Sequence, residues 1–307
     1  MKVSSSPHVR RPLAKQRVMW EVVAALVPAA IFGVWYFGPA DTLPQLAATI
    51  AGAVGAQAVV EGLRRRPITV MDGAPWVTGL ILGMSLPPGL NVLIAAGGGV
   101  VATGVLKAFV TTSTGRSLLN PAMGARVLIV SEFLIPATTF PVDGVAGATP
   151  LASSSAPGYL DLLIGRRAGS IGETAAILLL LGAGYLLWRG VIRWHLPVAY
   201  LVGVAATSLI LGRNPLFDLL TGASILTAFF IATDPTTSPA TIPGRVGFGF
   251  GTAGIATFIR ITTLFPTGEA LAIVVGNIAA PFVDRVMTNR VYGTPKWSEK
   301  WRERLSS

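Results

Sequence analysis

One polar stretch in an otherwise apolar chain offers chemistry: Asp143-Gly144-Val145-Ala146-Gly147-Ala148-Thr149-Pro150-Leu151, in the longest gap between two apolar segments. A glycine-rich stretch of this kind cannot pack a core, so its composition asks for another purpose. It presents one threonine hydroxyl, Thr149, with an acidic residue, Asp143, upstream. Gly147 and Ala148 beside it leave room for a bulky group to approach the backbone. The arrangement suits covalent modification of Thr149. Two further stretches bound apolar segments, one at a start and one at an end. Asn120-Pro121-Ala122-Met123 reads as a helix start, with Asn120 as the cap and Pro121 in the first turn. The partly positive end of that helix can face an anionic group. Thr233-Asp234-Pro235-Thr236-Thr237-Ser238 reads as a proline-terminated, hydroxyl-rich helix exit: a solvated loop, the wall of a ligand pocket, or a binding site for partner subunits.

Other chemistries are excluded. The chain has no cysteine, so it forms no disulfide, ligates no iron–sulfur cluster by itself and performs no thiol catalysis. His8 and His195 are its two histidines and lie far apart in sequence, which argues against a bis-histidine haem or a zinc site. The net charge of +10 invites a nucleic-acid reading. The basic residues, however, stand at the ends of apolar segments and form no stripe interleaved with aromatics, so no nucleic-acid partner is expected.

The elements that must position these residues are helices in lipid. Of 307 residues 52% are apolar and only 12% charged, with a mean hydropathy of +0.64; soluble domains carry about 25% charged residues. Long uncharged runs account for the difference and read as about ten transmembrane helices, near 19–37, 44–63, 74–86, 90–111, 121–136, 171–191, 196–212, 216–232, 246–265 and 268–287. The expected fold class is thus an all-α integral membrane protein. Several spans are short or broken and end at proline: the third at Pro87-Pro88, the fifth at Pro136, the eighth at Asp234-Pro235. Such helices usually line a cavity or cofactor site, because their free backbone groups need partners. The chain divides into an N-terminal segment (1–18), a first five-helix half (19–136), a loop carrying Thr149 (137–170), a second five-helix half (171–287) and a C-terminal tail (288–307). The N-terminal segment is polar for too long to be a signal peptide, and the first apolar run reads as a retained helix.

Topology follows from the Lys and Arg residues. With the N-terminus cytoplasmic, 18 of them fall in cytoplasmic segments and 3, Arg166, Arg167 and Arg213, outside. That asymmetry predicts cytoplasmic termini, an even helix count and an outer-face position for Thr149. Five spans on each side of the loop make the halves opposite in orientation, an inverted repeat; Thr78-Gly79 in the third span matches Thr221-Gly222 in the eighth. Lys107, Arg126 and Arg260 lie inside spans. Lys107 and Arg260 are near span ends and are expected to snorkel. Arg126 and Glu132, six residues apart, face different ways and should not pair. Glu132 is a candidate for an ion path. Asp218 and Glu269 begin spans, where a helix-dipole role is expected.

These stretches together resemble the NqrB/RnfD family of membrane subunits. The match is carried by Ser5-Ser6-Pro7-His8, Asn120 to Met123, Asp143 to Leu151, Ala232 to Pro239, and Asn277-Ile278-Ala279-Ala280-Pro281-Phe282-Val283-Asp284, which run from one terminus to the other. The family's loop pattern is Asp, a small residue, any residue, Ser or Thr, Gly, Ala, Thr. Asp143, Gly144, Gly147, Ala148 and Thr149 match it, and Ala146 departs from the usual Ser or Thr. The length favours the RnfD branch over NqrB, which usually has a longer N-terminal region.

The resemblance implies FMN joined to Thr149 through a phosphoester, which leaves the isoalloxazine ring free for one- and two-electron steps. It further implies a possible second, non-covalent flavin such as riboflavin, maturation by a flavin transferase, and partner subunits that bear flavins and iron–sulfur centres. The implied function is electron transfer between partner cofactors in an Rnf-type complex of the bacterial inner membrane, of the ferredoxin:NAD+ oxidoreductase type, coupled to movement of Na+ or H+. This chain alone would hold no complete active site and break no substrate bond. Two alternatives stand beside it: an NqrB-like subunit of a sodium-translocating NADH:quinone oxidoreductase, and a non-redox secondary transporter, which would use the same broken helices and repeat but no flavin loop.

Overall fold

The computed structural model describes residues 12–111, 117–133, 140–142, 145–147, 158–165, 169–174, 176–263 and 268–287. Twelve helices account for most of them. In chain order these are α1 (Pro12–Phe37), α2 (Pro39–Leu63), α3 (Ala74–Ser85), α4 (Val92–Val110), α5 (Pro121–Glu132), α6 (Tyr159–Ile164), α7 (Ala176–Trp188), α8 (His195–Ile210), α9 (Pro215–Leu220), α10 (224–231), α11 (Ile242–Thr263) and α12 (Gly268–Val286). Each of the ten apolar segments contains helix. Three helices are long and apolar enough to cross a membrane, Gln16–Phe37, Pro39–Leu63 and Val92–Val110, and Ala74–Ser85, Ala176–Trp188 and His195–Ile210 are shorter apolar helices.

The outward surface is apolar. Ile31, Trp35, Leu93, Phe109 and Ile210 are all exposed. In water such a surface would drive aggregation, whereas against lipid it needs no cover. Small residues let paired helices approach closely. α2 runs along α4, where Gly52 lies against the Ala96 carbonyl and Gly99 against the Thr49 carbonyl. α8 runs along α11 in the same manner, Gly203 against the Phe250 carbonyl and Gly249 against the Leu196 carbonyl. A methyl group at any of these positions would push two backbones apart. α1 against α7 and α5 against α12 join the first five helices to the later ones.

Two segments fail to run straight through. α3 has 12 residues, about 18 Å at 1.5 Å per residue, and cannot cross a hydrocarbon core of about 30 Å. Its last carbonyls are met by a different segment: Gly172 N donates to the Met84 carbonyl at 2.6 Å and Ile171 N to the Leu86 carbonyl at 3.5 Å. The expected eighth span splits. Asn214 caps α9 through the Leu216 and Phe217 amides, α9 stops at Leu220, Gly222 takes a left-handed φ of 63°, and α10 restarts at Ser224. Within α4 and α10, Val101–Lys107 and Thr227–Ile231 are wound as π-helix, a form that gathers at functional sites.

The 137–170 loop departs from an all-helical reading. Phe140–Val142 and Val145–Gly147 pair antiparallel, with Phe140 opposite Gly147 and Pro141 opposite Ala146. Asp143-Gly144 between two valines is a dipeptide that favours a two-residue hairpin connection. Gly147 thus stands on a strand, and Asp143, Ala148 and Thr149 lie outside the described residues.

Candidate functional site

A cavity of about 240 Å³ forms where α1, α3, the end of α4, the start of α5, the turn after α7 and the end of α10 meet. Its polar lining includes Asn120, Thr233, Asp234, Thr236, Thr78 and Lys107, and its apolar lining Val22, Val77, Ile81, Ile192 and Phe230. Asn120, Thr233 and Asp234, three residues singled out from sequence at two separate stretches, therefore share one site.

Each is held by local bonds that leave part of it facing the cavity. Asn120 caps α5: its Oδ1 accepts from Ala122 N at 3.1 Å and Met123 N at 3.2 Å. Its amide Nδ2 makes no bond among the described residues and remains a donor at the wall. Thr233 donates its hydroxyl to the Phe229 carbonyl at 2.7 Å, closing the π-wound end of α10. Asp234 Oδ1 accepts from Thr236 N at 2.9 Å and Thr236 Oγ1 at 2.8 Å, which turns the chain out of the helix. Ser117 N then donates to the Thr236 carbonyl at 3.1 Å, tying the approach to α5 to the exit from α10.

Lys107 ends the π-wound stretch of α4. The extra residue in a π-turn rotates the residues after it, and the Lys107 ammonium donates to Gln57 Oε1 at 2.8 Å beside the cavity. The expectation that Lys107 snorkels is corrected: it lines the site. Beyond the cavity, Asp284 accepts from Ala240 N at 2.9 Å and Arg245 Nε donates to the Pro239 carbonyl at 2.9 Å, so the exit from α10 is anchored at both ends. Burial and the neighbouring Arg193 draw the pKa of Arg245 below its ordinary value, against the opposing pull of Asp284.

Two other arginines inside helices are buried beside acidic residues. Arg126 lies 3.8 Å from Glu173, both buried, and so does not pair with Glu132, as the spacing predicts. Glu132 is exposed at the end of α5. Arg260 departs from the snorkelling expectation: it is only 2% exposed and bonds Glu269 Oε1 at 2.9 Å. Asp218 and Glu269 stand in the first turns of α9 and α12, where the dipole role expects them, and are in addition buried partners of Arg260. Sequence reasoning missed this cluster because its members come from α9, α11 and α12; the available signal was Asn214-Pro215, which repeats Asn120-Pro121 and marks a second capped half-helix.

Among the described residues no group of three or more acidic or histidine side chains could hold a metal. The cavity combines apolar side chains with a few donors and acceptors, the lining expected of a small-molecule site.

Comparison with known proteins gives a consistent result. A family model described as NQR2, RnfD, RnfE family matches residues 2–293. The chain is 35% identical to the D subunit of the proton-translocating ferredoxin:NAD(+) oxidoreductase complex of Clostridium ljungdahlii, over 95% of this chain and 96% of that one. It is 34% identical to the D subunit of the Na(+)-translocating ferredoxin:NAD(+) oxidoreductase complex of Acetobacterium woodii, over 96% of each. With the D subunit of the ion-translocating oxidoreductase complex of Halorhodospira halophila it shares 33% identity over 94% of each.

Proposed function

We propose a flavin-carrying electron relay as the function of this chain, which belongs to the NQR2, RnfD, RnfE family and is a D subunit of an Rnf-type ion-translocating ferredoxin:NAD+ oxidoreductase complex. In this reading Thr149 carries FMN through a phosphoester, with Asp143, Gly147 and Ala148 as the sequence a flavin transferase reads. A second, non-covalent flavin such as riboflavin sits in the cavity of Asn120, Thr233 and Asp234. The other Rnf subunits supply and accept the electrons, and their passage is coupled to Na+ or H+ movement.

The observation that carries the reading is the convergence of Asn120 and Thr233-Asp234 on one amphipathic cavity. The residues fit a flavin: the Asn120 amide offers a donor, Thr233 and Asp234 offer acceptors, and Val77, Ile81 and Phe230 offer apolar faces. When bound there, such a ring would accept and release electrons one or two at a time. The chain's own part is to hold the ring, keep bulk water from it and place it within tunnelling reach of its neighbours.

Ten membrane crossings in two inverted halves follow from the same reading. The matched glycine contacts of α2 with α4 and of α8 with α11 support the repeat, as do the two interrupted segments α3 and α9–α10. Lys and Arg bias supports cytoplasmic termini, an inner-face cavity and an outer-face Thr149, in the bacterial inner membrane.

The test is direct. The chain is produced with a flavin transferase, denatured and separated on a gel. Flavin fluorescence is expected on the wild-type band and absent from Thr149→Ala; a dark wild-type band, or a fluorescent variant, refutes the attachment site. The interrupted segment α9–α10 also suits a secondary transporter, and purified protein that is colourless yet binds a small solute would favour that reading.

A further inference from the structure

Arg260 is the largest fully buried side chain of the described residues, and its bonds converge on a single place, the break between α9 and α10. Its Nη2 donates to the Asp218 carbonyl at 2.8 Å and its Nη1 to the Thr221 carbonyl at 3.1 Å, both on the α9 side of the break. The same Nη1 donates to Ser224 Oγ at 2.9 Å, on the first residue of α10. Glu269, at the start of α12, takes Nη1 at 2.9 Å and holds the guanidinium from behind, and Asp218 Oδ1 lies 3.7 Å from Nη2. One planar cation thus bonds both sides of a helix interruption and is itself anchored to α11 and α12. Gly222 makes room for it: a Cβ there would stand 2.7 Å from Nη1 and 2.8 Å from Glu269 Oε1.

The free carbonyls at the end of a half-helix are costly away from water. Arg260 meets two of them, a task that would otherwise fall to the amides of a continuous helix. α10 is short; its last turn carries Phe230 into the cavity, and the turn that follows it carries Thr233 and Asp234 there. Asp234 stands ten positions after Ser224, and α10 (224–231) covers most of that stretch. Where Arg260 holds Ser224 therefore decides where Thr233 and Asp234 stand.

We infer that Arg260, backed by Glu269, is a positioning residue for the cavity: it pins the broken span so that α10 presents Thr233 and Asp234 to the ligand at its other end. The inference rests on the reading of the cavity as a flavin site. Coupling of this kind travels through a rigid element with a defined anchor and needs no contact between Arg260 and the ligand.

Arg260→Lys tests it in the assembled complex. Lysine keeps the buried charge beside Glu269 but is a point cation without the fork that reaches both sides of the break. Purified complexes are stripped of non-covalent flavin and titrated with riboflavin. The variant is expected to assemble and to keep the covalent flavin on Thr149, while riboflavin binds roughly tenfold more weakly, the scale of one misplaced polar contact, and its midpoint potential shifts. Riboflavin bound with unchanged affinity and potential overturns the inference. Should Arg260→Lys fail to assemble, Glu269→Gln, which keeps an acceptor for Nη1, is measured in the same way and against the same two outcomes. If the wild-type complex itself takes up no riboflavin, the cavity reading fails, and the pin is tested separately. The cysteine-free chain allows spin labels at Leu216→Cys and Ala240→Cys alone; their distance distribution should shift or broaden with Arg260→Lys, and an unchanged distribution overturns the pin.

Discussion

Asn120 and Asp234 stand 114 positions apart in sequence and line the same cavity, one at the start of α5 and the other at the exit of α10. The Ser117 amide donates to the Thr236 carbonyl between them, so the two helix ends are joined directly and the cavity is framed by backbone as well as by side chains. An N-cap at one edge and a proline-terminated exit at the other give the site a positive helix end and an acidic side chain within one small volume.

Asn120→Ala should separate the two flavins. Loss of an asparagine cap costs about 1 kcal/mol of helix stability, and the amide donor at the wall disappears with it. The expected outcome is complex with normal covalent flavin and reduced extractable flavin, measured by fluorescence of the supernatant after denaturation. Asn120→Asp keeps the capping oxygen and removes the donor; it should restore stability without restoring flavin retention.

Arg126 and Glu173 form a buried pair, and removing one partner leaves the other charge without its neighbour. Arg126→Ala should lower stability by about 3–5 kcal/mol, the usual cost of breaking such a pair. Replacing both residues, with Arg126→Met and Glu173→Met together, should recover much of that loss, because two apolar side chains need no partner. Thermal unfolding of the detergent-purified chain checks both.

Much of this was legible in the sequence. Asn120 announced itself as a cap through the proline after it, and Asp234 as an exit through Pro235. The ten apolar segments all contain helix, because composition alone makes a run of apolar residues choose helix in lipid. What was not legible depended on neighbours distant in sequence. Nothing local distinguishes Arg260, near the end of α11, from a snorkelling arginine; its burial follows from the α9 carbonyls and from Glu269. The π-turns that carry Lys107 and Phe230 into the cavity leave no periodic signature, since one added residue per turn is too small a change for an apolar pattern to register. The strand pair 140–147 reads as loop in the sequence because three-residue strands fall below the length at which alternation is visible.

In the resemblance drawn from the sequence, Ala146 stands where a Ser or Thr is usual, and it pairs with Pro141 in the strand register. Ala146→Thr restores the usual hydroxyl residue and should raise the fraction of chains modified by the flavin transferase, read as the ratio of modified to unmodified chain in an intact mass spectrum. An equal or smaller fraction would mean that the transferase does not read this position.

Topology is open to labelling, because a chain without cysteine accepts one at a time. Arg166→Cys is expected to react with a membrane-impermeant maleimide in intact cells, and Arg65→Cys only after permeabilisation. The reverse pattern would place the cavity on the outer face and Thr149 on the inner one.

The proposed relay requires two flavins of different attachment on this chain, one bonded to Thr149 and one held by the cavity of Asn120, Thr233 and Asp234. Flavin counting on this chain, isolated from the purified complex, tests it most directly. After denaturation the wild-type chain should retain one FMN at Thr149, located by fragment mass, and release one flavin. Thr149→Ala should retain none and still release one. A wild-type chain that retains no flavin, or one whose released flavin is lost with Thr149→Ala and unaffected by Asn120→Ala, contradicts the account.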